Sequence, residues 1–107
     1  MKILGIDPGL ATTGYGIIEA NNNSLKVIEY DSIITSPKLS LGERLILIYN
    51  KISKIIRKYK PDQIAIEELF FAQNIKTAMA VSEARGVILL AAAKNNLSDV
   101  FEYTPLH

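Results

Sequence analysis

The chain has 107 residues, of which 49% are hydrophobic and 21% charged, with a net charge of +1. This length supports one domain with one hydrophobic core, and the composition excludes a disordered chain. The absence of cysteine excludes disulfide bonds and favours an intracellular protein. A net charge this small does not indicate a nucleic-acid partner, although a local basic patch could still bind one.

Neither a membrane span nor a secretion signal is expected from the sequence. The longest apolar stretch covers residues 86–93 and ends at Lys94, well short of the roughly 20 residues that a membrane helix needs. Asp7 interrupts the N-terminal apolar run too early for a signal peptide. We therefore expect a cytoplasmic protein.

A short strand is predicted over residues 3–7, and it ends in an acidic residue. An apolar run this short, followed by the turn residues Pro8 and Gly9, is typical of a buried strand. An ionised carboxylate at the rim of a core is unfavourable unless another group pairs with it. Asp7 therefore indicates an acidic site that binds a divalent cation. In the alternative interpretation Asp7 only opens the turn, because Asp-Pro-Gly is a common turn sequence.

Two further strands are predicted over residues 14–20 and 25–35. Asparagine occupies residues 21–23 between them, which indicates a hairpin turn. Together with residues 3–7, these strands form an antiparallel meander.

A helix is predicted after Pro37. Ser40 and Glu43 have the spacing of a capping box, which marks the start of a helix. One apolar stripe follows at helical spacing: Leu41, Leu45, Ile48, Ile52, Ile55 and Tyr59. The basic residues of this helix are interpreted as its solvated face rather than as a DNA site: Lys51, Lys54, Arg57, Lys58 and Lys60.

The remaining elements are a strand, a helix and a strand. Residues 63–67 form a short apolar strand that ends on Glu67, and its approach through a helix predicts that it is parallel to the first strand. Both acids then lie at the same end of the sheet. Strand alternation points Glu68 to the opposite face, so Glu67 is the preferred candidate. An alanine-rich helix follows over residues 76–95, and its inner stripe consists of Ala78, Val81, Ile88 and Ala92. A fifth strand is predicted over residues 100–103.

This order of elements predicts an α/β protein with the ribonuclease H-like fold. Its mixed five-stranded sheet has strands 1–3 antiparallel and strands 4 and 5 parallel to strand 1, and the final helix of the fold is missing. Adjacent first and fourth strands would bring Asp7 and Glu67 side by side, where two carboxylates repel unless a cation lies between them. Mg²⁺ prefers such oxygen ligands, and two ions about 4 Å apart could bind the attacking and leaving oxygens of a phosphodiester.

Short motifs spread over the whole chain point to one protein family. They are Gly5-Ile6-Asp7-Pro8-Gly9, Thr13-Gly14-Tyr15-Gly16, Ile66-Glu67-Glu68-Leu69-Phe70-Phe71, Asn74 with Thr77-Ala78, and Ala84-Arg85-Gly86-Val87. Together these motifs resemble the RuvC family, the bacterial Holliday-junction resolvases. The first motif also begins sugar kinases and actin-like ATPases, so the segment from Glu67 to Gly86 is the more specific part.

The resemblance implies a homodimeric endonuclease that nicks opposing strands of a four-way DNA junction with metal-activated water, in recombination and repair. Asp7 and Glu67 are then catalytic acids and metal ligands, with Mg²⁺ as the ion and Mn²⁺ as a substitute. Phe70 takes the place of an aromatic residue that stacks on an unpaired base, although it could equally be a core residue. Asn74 and Arg85 are expected to contact DNA or the second subunit. The branch-migration proteins RuvA and RuvB are expected partners.

The predicted dimer also has a physical basis. Two symmetric cuts require two identical sites related by a two-fold axis. Small residues of the second helix would permit close contact with another helix, and the alternative is that they pack onto the sheet: Ala78, Ala80, Ala84, Ala91, Ala92 and Ala93.

The sequence departs from the family pattern near its end. The last two acidic positions of the family lie on a final helix, and neither Asp99 nor Glu102 matches them. We expect residues 1–107 to be a single nuclease domain that is incomplete at its C-terminus. His107 stands where the family usually has glutamine and is interpreted as a feature of the chain end, not as a ligand.

Two other functions remain open at this stage. The first is a chain that binds junctions without cutting them, and binding without cleavage would distinguish it. The second is an actin-like ATPase or kinase that uses residues 7–16 as a phosphate loop. That function lacks a second phosphate motif, and ATP hydrolysis would support it.

Overall fold

A computed structural model of the protein describes residues 1–67 and 74–103. The elements are β1 (Lys2–Asp7), β2 (Thr12–Asn21), β3 (Ser24–Ile34), α1 (Leu41–Tyr59), β4 (Gln63–Glu67), α2 (Ile75–Lys94) and β5 (Val100–Tyr103). All seven were predicted in this order. Neither α1 nor α2 is long and apolar enough to cross a membrane, and this finding covers the described residues only.

The five strands form one sheet in the order β3-β2-β1-β4-β5. The β1–β2 and β2–β3 pairs are antiparallel, whereas β4 is parallel to β1 and β5 is parallel to β4. This is the mixed sheet predicted for a ribonuclease H-like fold. Because β1 is central, its last residue lies between the ends of two neighbouring strands.

The asparagine-rich segment forms the predicted hairpin turn. Asn21 pairs with Ser24 across the hairpin, and Asn22 has a φ of 46°. Asparagine tolerates this left-handed backbone better than most residues do, which explains why the chain reverses here.

One face of the sheet packs against both helices. Leu4 and Ile6 of β1 are in register with Ile64 and Ile66 of β4, and all four are buried. The same core cluster includes residues from both helices: Ile48, Ile52, Ile55, Ile56, Ala84, Ile88, Ala91 and Ala92. The alternate residues of β1, which include Asp7, lie on the other face of the sheet and are half-buried or exposed.

The first helix has the predicted capping box. The Ser40 hydroxyl accepts a hydrogen bond from the Glu43 amide at 3.2 Å, and the Glu43 carboxylate accepts one from the Ser40 amide at 3.1 Å. The helix ends at Tyr59; the next residue, Lys60, has a left-handed backbone and donates its N–H to the Ile56 carbonyl oxygen. The predicted apolar stripe is only partly buried. Leu41 is 43% exposed, because the first turn of α1 lies outside the core.

The small residues of α2 mostly pack within the chain. Ala84, Ala91 and Ala92 are fully buried in the core. The predicted helix–helix surface is therefore wrong for these three residues, because the sheet and α1 already cover them. Ala78 and Ala80 are half-buried.

Candidate acidic site at the ends of three strands

Asp7 ends the central strand and is exposed on the sheet face opposite the helices. Its partner across the antiparallel pair is Gly14, which has no side chain and leaves space beside the carboxylate. The turn interpretation of Asp7 would require the amide two residues on, Gly9 N–H, to donate to its side chain. That amide donates instead to the Thr13 hydroxyl at 3.3 Å. The geometry thus leaves the Asp7 carboxylate available for another partner.

Glu67 ends the neighbouring parallel strand. Ile6 and Ile66 are in register, so the next residues of β1 and β4, Asp7 and Glu67, come side by side at the same edge. The pKa of the Glu67 carboxyl is raised, first by burial, then by the negative charge of Asp7 and by a hydrogen bond with it. Two carboxyl groups that close repel when both are ionised. This pair was predicted from the sequence.

Tyr103 is a third polar residue at this edge, and it was not predicted from the sequence. It is in register with Glu67 on β5, so both side chains lie on the same face of the sheet. Burial raises the pKa of the Tyr103 hydroxyl, and the charges of Glu67 and Asp7 raise it further. The position of Tyr103 at the end of the fifth strand was a usable signal, since two parallel strands that end together place their last residues side by side.

The donor set of this edge fits a divalent cation that keeps part of its water shell. Asp7 and Glu67 offer carboxylate oxygens, and a cation between them would remove their repulsion. Over residues 1–67 and 74–103, no group of three or more histidine, aspartate or glutamate side chains could hold a metal ion. A hydrated Mg²⁺ is bound in many proteins by only one or two carboxylates, so two protein ligands are compatible with it.

The loop after Asp7 has a tightly constrained backbone. A Cβ atom at Gly9 would lie 2.3 Å from the Thr12 carbonyl oxygen, so no larger residue fits without a backbone shift. The Thr13 side chain is fully buried, and its hydroxyl donates to the Gly9 carbonyl oxygen at 2.5 Å. Gly9 therefore serves close backbone approach, and Thr13 fixes the loop to β2.

A groove of about 500 Å³ lies between this loop and the first half of α2. Its walls include residues 9–12, Arg44 of α1, and Lys76 and Thr77 of α2. Among the described lining residues there are two cations and no acidic side chain. Neither cation was predicted from the sequence, because Arg44 and Lys76 are distant in sequence and no local pattern brings them together.

Asn74 and Arg85 have structural partners. The Asn74 side chain caps α2 by accepting a hydrogen bond from the Thr77 amide at 2.8 Å. Arg85 forms an ion pair with Glu102 of β5. Glu102 is in register with the buried Ile66, so this pair belongs to the helix-covered face and not to the face of Asp7. The DNA or dimer contacts of Asn74 and Arg85 stay predictions.

Several predicted residues lie outside the described parts of the chain. They are Phe70, the residue predicted to stack on a base, the neighbouring motif residues Glu68, Leu69 and Phe71, and His107.

Comparison with known proteins identifies relatives over almost the whole chain. The family model described as crossover junction endodeoxyribonuclease RuvC matches residues 3–107. The RuvC proteins of Ruminiclostridium cellulolyticum and Caldicellulosiruptor saccharolyticus are 51% and 56% identical to the chain, each over 99% of it. A solved structure of Thermus thermophilus RuvC in complex with a Holliday junction substrate matches 98% of the chain with a TM-score of 0.93 and 28% identity.

These relatives are longer than the match. The chain spans 63% and 64% of the length of the two curated relatives and 64% of the solved chain. Within that span the family model, the sequence identity and the overall fold agree. This chain therefore belongs to the RuvC family.

Proposed function

We propose that this chain carries the core of a metal-dependent endonuclease that cuts four-way DNA junctions. The observation that carries the proposal is the adjacent pair of carboxyl groups, Asp7 and Glu67, on an accessible sheet edge. Relatives that are named crossover junction endodeoxyribonucleases support the substrate class.

In this proposal Asp7 and Glu67 hold a divalent cation, with Mg²⁺ as the expected ion and Mn²⁺ as a substitute. When bound, the cation lowers the pKa of a bound water and stabilises negative charge on the scissile phosphate. Asp7 and Glu67 orient the site from two adjacent strands, which are more rigid supports than loops. Tyr103, whose hydroxyl has a raised pKa, stays protonated at neutral pH and keeps a neutral hydrogen-bond donor beside the two acids.

The partners follow from the same proposal. Opposing strands of a four-way junction are related by two-fold symmetry, so a homodimer is the natural assembly. Cooperation with RuvA and RuvB is an expectation from the family resemblance. Phe70 is proposed to stack on a base near the crossover, and Asn74 and Arg85 are proposed to contact DNA or the second subunit.

A second candidate function is junction binding without cleavage. It is favoured by the donor count, because the described residues offer two adjacent carboxylates and no larger cluster. The family resemblance implies two further acidic positions on a final helix, and neither Asp99 nor Glu102 matches them.

Cleavage of a labelled four-way junction in the presence of Mg²⁺ tests both functions, with Asp7→Asn as the matched control. We expect the chain to cut and Asp7→Asn not to cut if the two carboxylates suffice. If both proteins shift the junction on a gel and neither cuts it, the second function is correct for this chain. If neither protein binds or cuts, both candidate functions are wrong for residues 1–107.

A further inference from the structure

The loop that follows Asp7, residues 8–11, is held by a second buried threonine, Thr35, which directly follows β3. Thr35 is 2% exposed. Its amide donates to the Ala11 carbonyl oxygen at 3.1 Å, and its hydroxyl donates to the Leu10 carbonyl oxygen at 2.6 Å. The loop is therefore fixed at its start by Thr13 and at its end by Thr35.

Arg44 determines the direction of the Thr35 hydroxyl. Its Nε donates to Thr35 Oγ1 at 2.8 Å, and its Nη2 donates to the Thr35 carbonyl oxygen at 3.3 Å. A guanidinium group can only donate hydrogen bonds, so Thr35 Oγ1 must accept from Arg44. The single hydroxyl proton is then directed to Leu10. Without Arg44, this hydroxyl would be free to rotate away from the loop.

The position of Arg44 in α1 also needs an explanation beyond helix stability. It lies three residues after Leu41, the first helical residue, close to the positive end of the helix dipole. A cation is disfavoured there, whereas an acid such as Glu43 is favoured. The contacts with Thr35 supply the compensating interaction.

We propose that Arg44 is a positioning residue for Asp7. It connects the start of α1, through Thr35, to the Leu10–Ala11 end of the loop, and so restrains the backbone that follows the acidic residue. The proposal rests on the proposed function, because it requires a cation at Asp7. Arg44 acts through its neighbours and is not itself assigned a contact with the cation or with DNA.

The test compares Arg44→Met and Thr35→Val with the control Arg57→Met. Arg57 is in the last turn of the same helix and donates to Asn95 at 3.4 Å, far along the helix from Thr35. Hydrogen exchange of the Gly9 and Thr35 amides reports on the loop. We expect exchange to be about tenfold faster in Arg44→Met and Thr35→Val, relative to a core amide in the same sample, and unchanged in Arg57→Met.

Binding of Mn²⁺ alone, followed by electron paramagnetic resonance, reports on the acidic site. We expect affinity to fall about tenfold in Arg44→Met and in Thr35→Val, in the range seen when groups that orient metal ligands are removed. Thr35→Ser keeps the hydroxyl and should retain the affinity. The double variant Arg44→Met/Thr35→Val should be no weaker than either single variant, because both remove the same connection.

The outcomes separate the two proposals. If the wild-type chain binds Mn²⁺ and Arg44→Met binds it as tightly as Arg57→Met does, Arg44 has no positioning role. Loss of stability in Arg44→Met with unchanged Mn²⁺ affinity leads to the same conclusion. If the wild-type chain binds no more Mn²⁺ than Asp7→Asn does, the cation site of the proposed function is wrong, and Arg44 has no ligand to position.

Discussion

Glu67 lies beside the negative charge of Asp7, which makes the protonation of Glu67 part of the stability of the fold. The pKa of Glu67 is raised above its ordinary value of 4.5. The folded chain thus binds this proton more tightly than the unfolded chain. The stabilising contribution is complete below pH 4.5 and is lost as the pH rises through the raised pKa.

Replacement of Asp7 by asparagine should therefore stabilise the cation-free protein at neutral pH. We expect the free energy of unfolding to rise by about 0.5 kcal/mol and the Tm by about 2–4 °C. The effect is small because solvent partly screens the pair. Mg²⁺ should raise the Tm of the wild type and not that of Asp7→Asn. Thermal melts with Mg²⁺ or with a chelator check both effects. A lower Tm of Asp7→Asn without Mg²⁺ would contradict the repulsion between Asp7 and Glu67.

The backbone leaves no room for a side chain at Gly9. Gly9→Ala should destabilise the fold by about 1–3 kcal/mol, because its Cβ atom would collide with the Thr12 carbonyl oxygen. Gly86→Ala is the matched control: a Cβ at Gly86 meets no atom within 4 Å among the described residues. That change should stabilise α2 by about 0.5–1 kcal/mol. Urea unfolding measures both, and equal effects of the two changes would contradict the steric argument.

At the scale of elements, the start of α1 depends on its capping box. The hydrogen bonds from Ser40 hold the pKa of the Glu43 carboxyl below its usual range. Since the folded pKa is lowered, this contribution to stability is present above the unfolded pKa of 4.5 and is lost as the pH falls through the lowered value.

Ser40→Ala should destabilise the protein by about 1 kcal/mol at neutral pH. The difference from wild type should shrink as the pH falls through the lowered pKa of Glu43. Ser98→Ala, at an exposed serine outside the helices and strands, is the control. Urea unfolding at pH 7 and pH 3 measures the difference, and a loss that does not depend on pH would show that Glu43 takes no part in the cap.

At the scale of the whole molecule, the groove beside the Asp7 loop gives a nearly neutral chain a local positive surface. Arg44 and Lys76 line it from two different helices. The net charge of +1 does not reveal such a surface, because phosphate contacts depend on where cations cluster and not on their total.

Lys76→Glu should weaken binding of a four-way junction and lower the slope of log affinity against log salt by about 1. Lys94→Glu makes the same change of charge at the other end of α2, and we expect it to have little effect. Filter binding over a range of salt concentrations compares the two. Equal weakening by both substitutions would mean that only the net charge matters.

The sequence by itself determined the order of the elements, their approximate positions, and the two acidic residues at the strand ends. These features depend on local patterns: apolar periodicity, the Ser40 capping box and the asparagine turn. The order of elements also indicates the ribonuclease H-like fold, in which the fourth strand lies beside the first, so the meeting of Asp7 and Glu67 was predictable as well.

Only the tertiary structure decided which distant side chains meet. The Tyr103 position depends on the register of β5 against β4. The Arg85–Glu102 pair and the contact of Arg44 with Thr35 depend on how each helix is rotated over the sheet. Register and rotation are set by the packing of the whole core, which no local pattern of residues specifies.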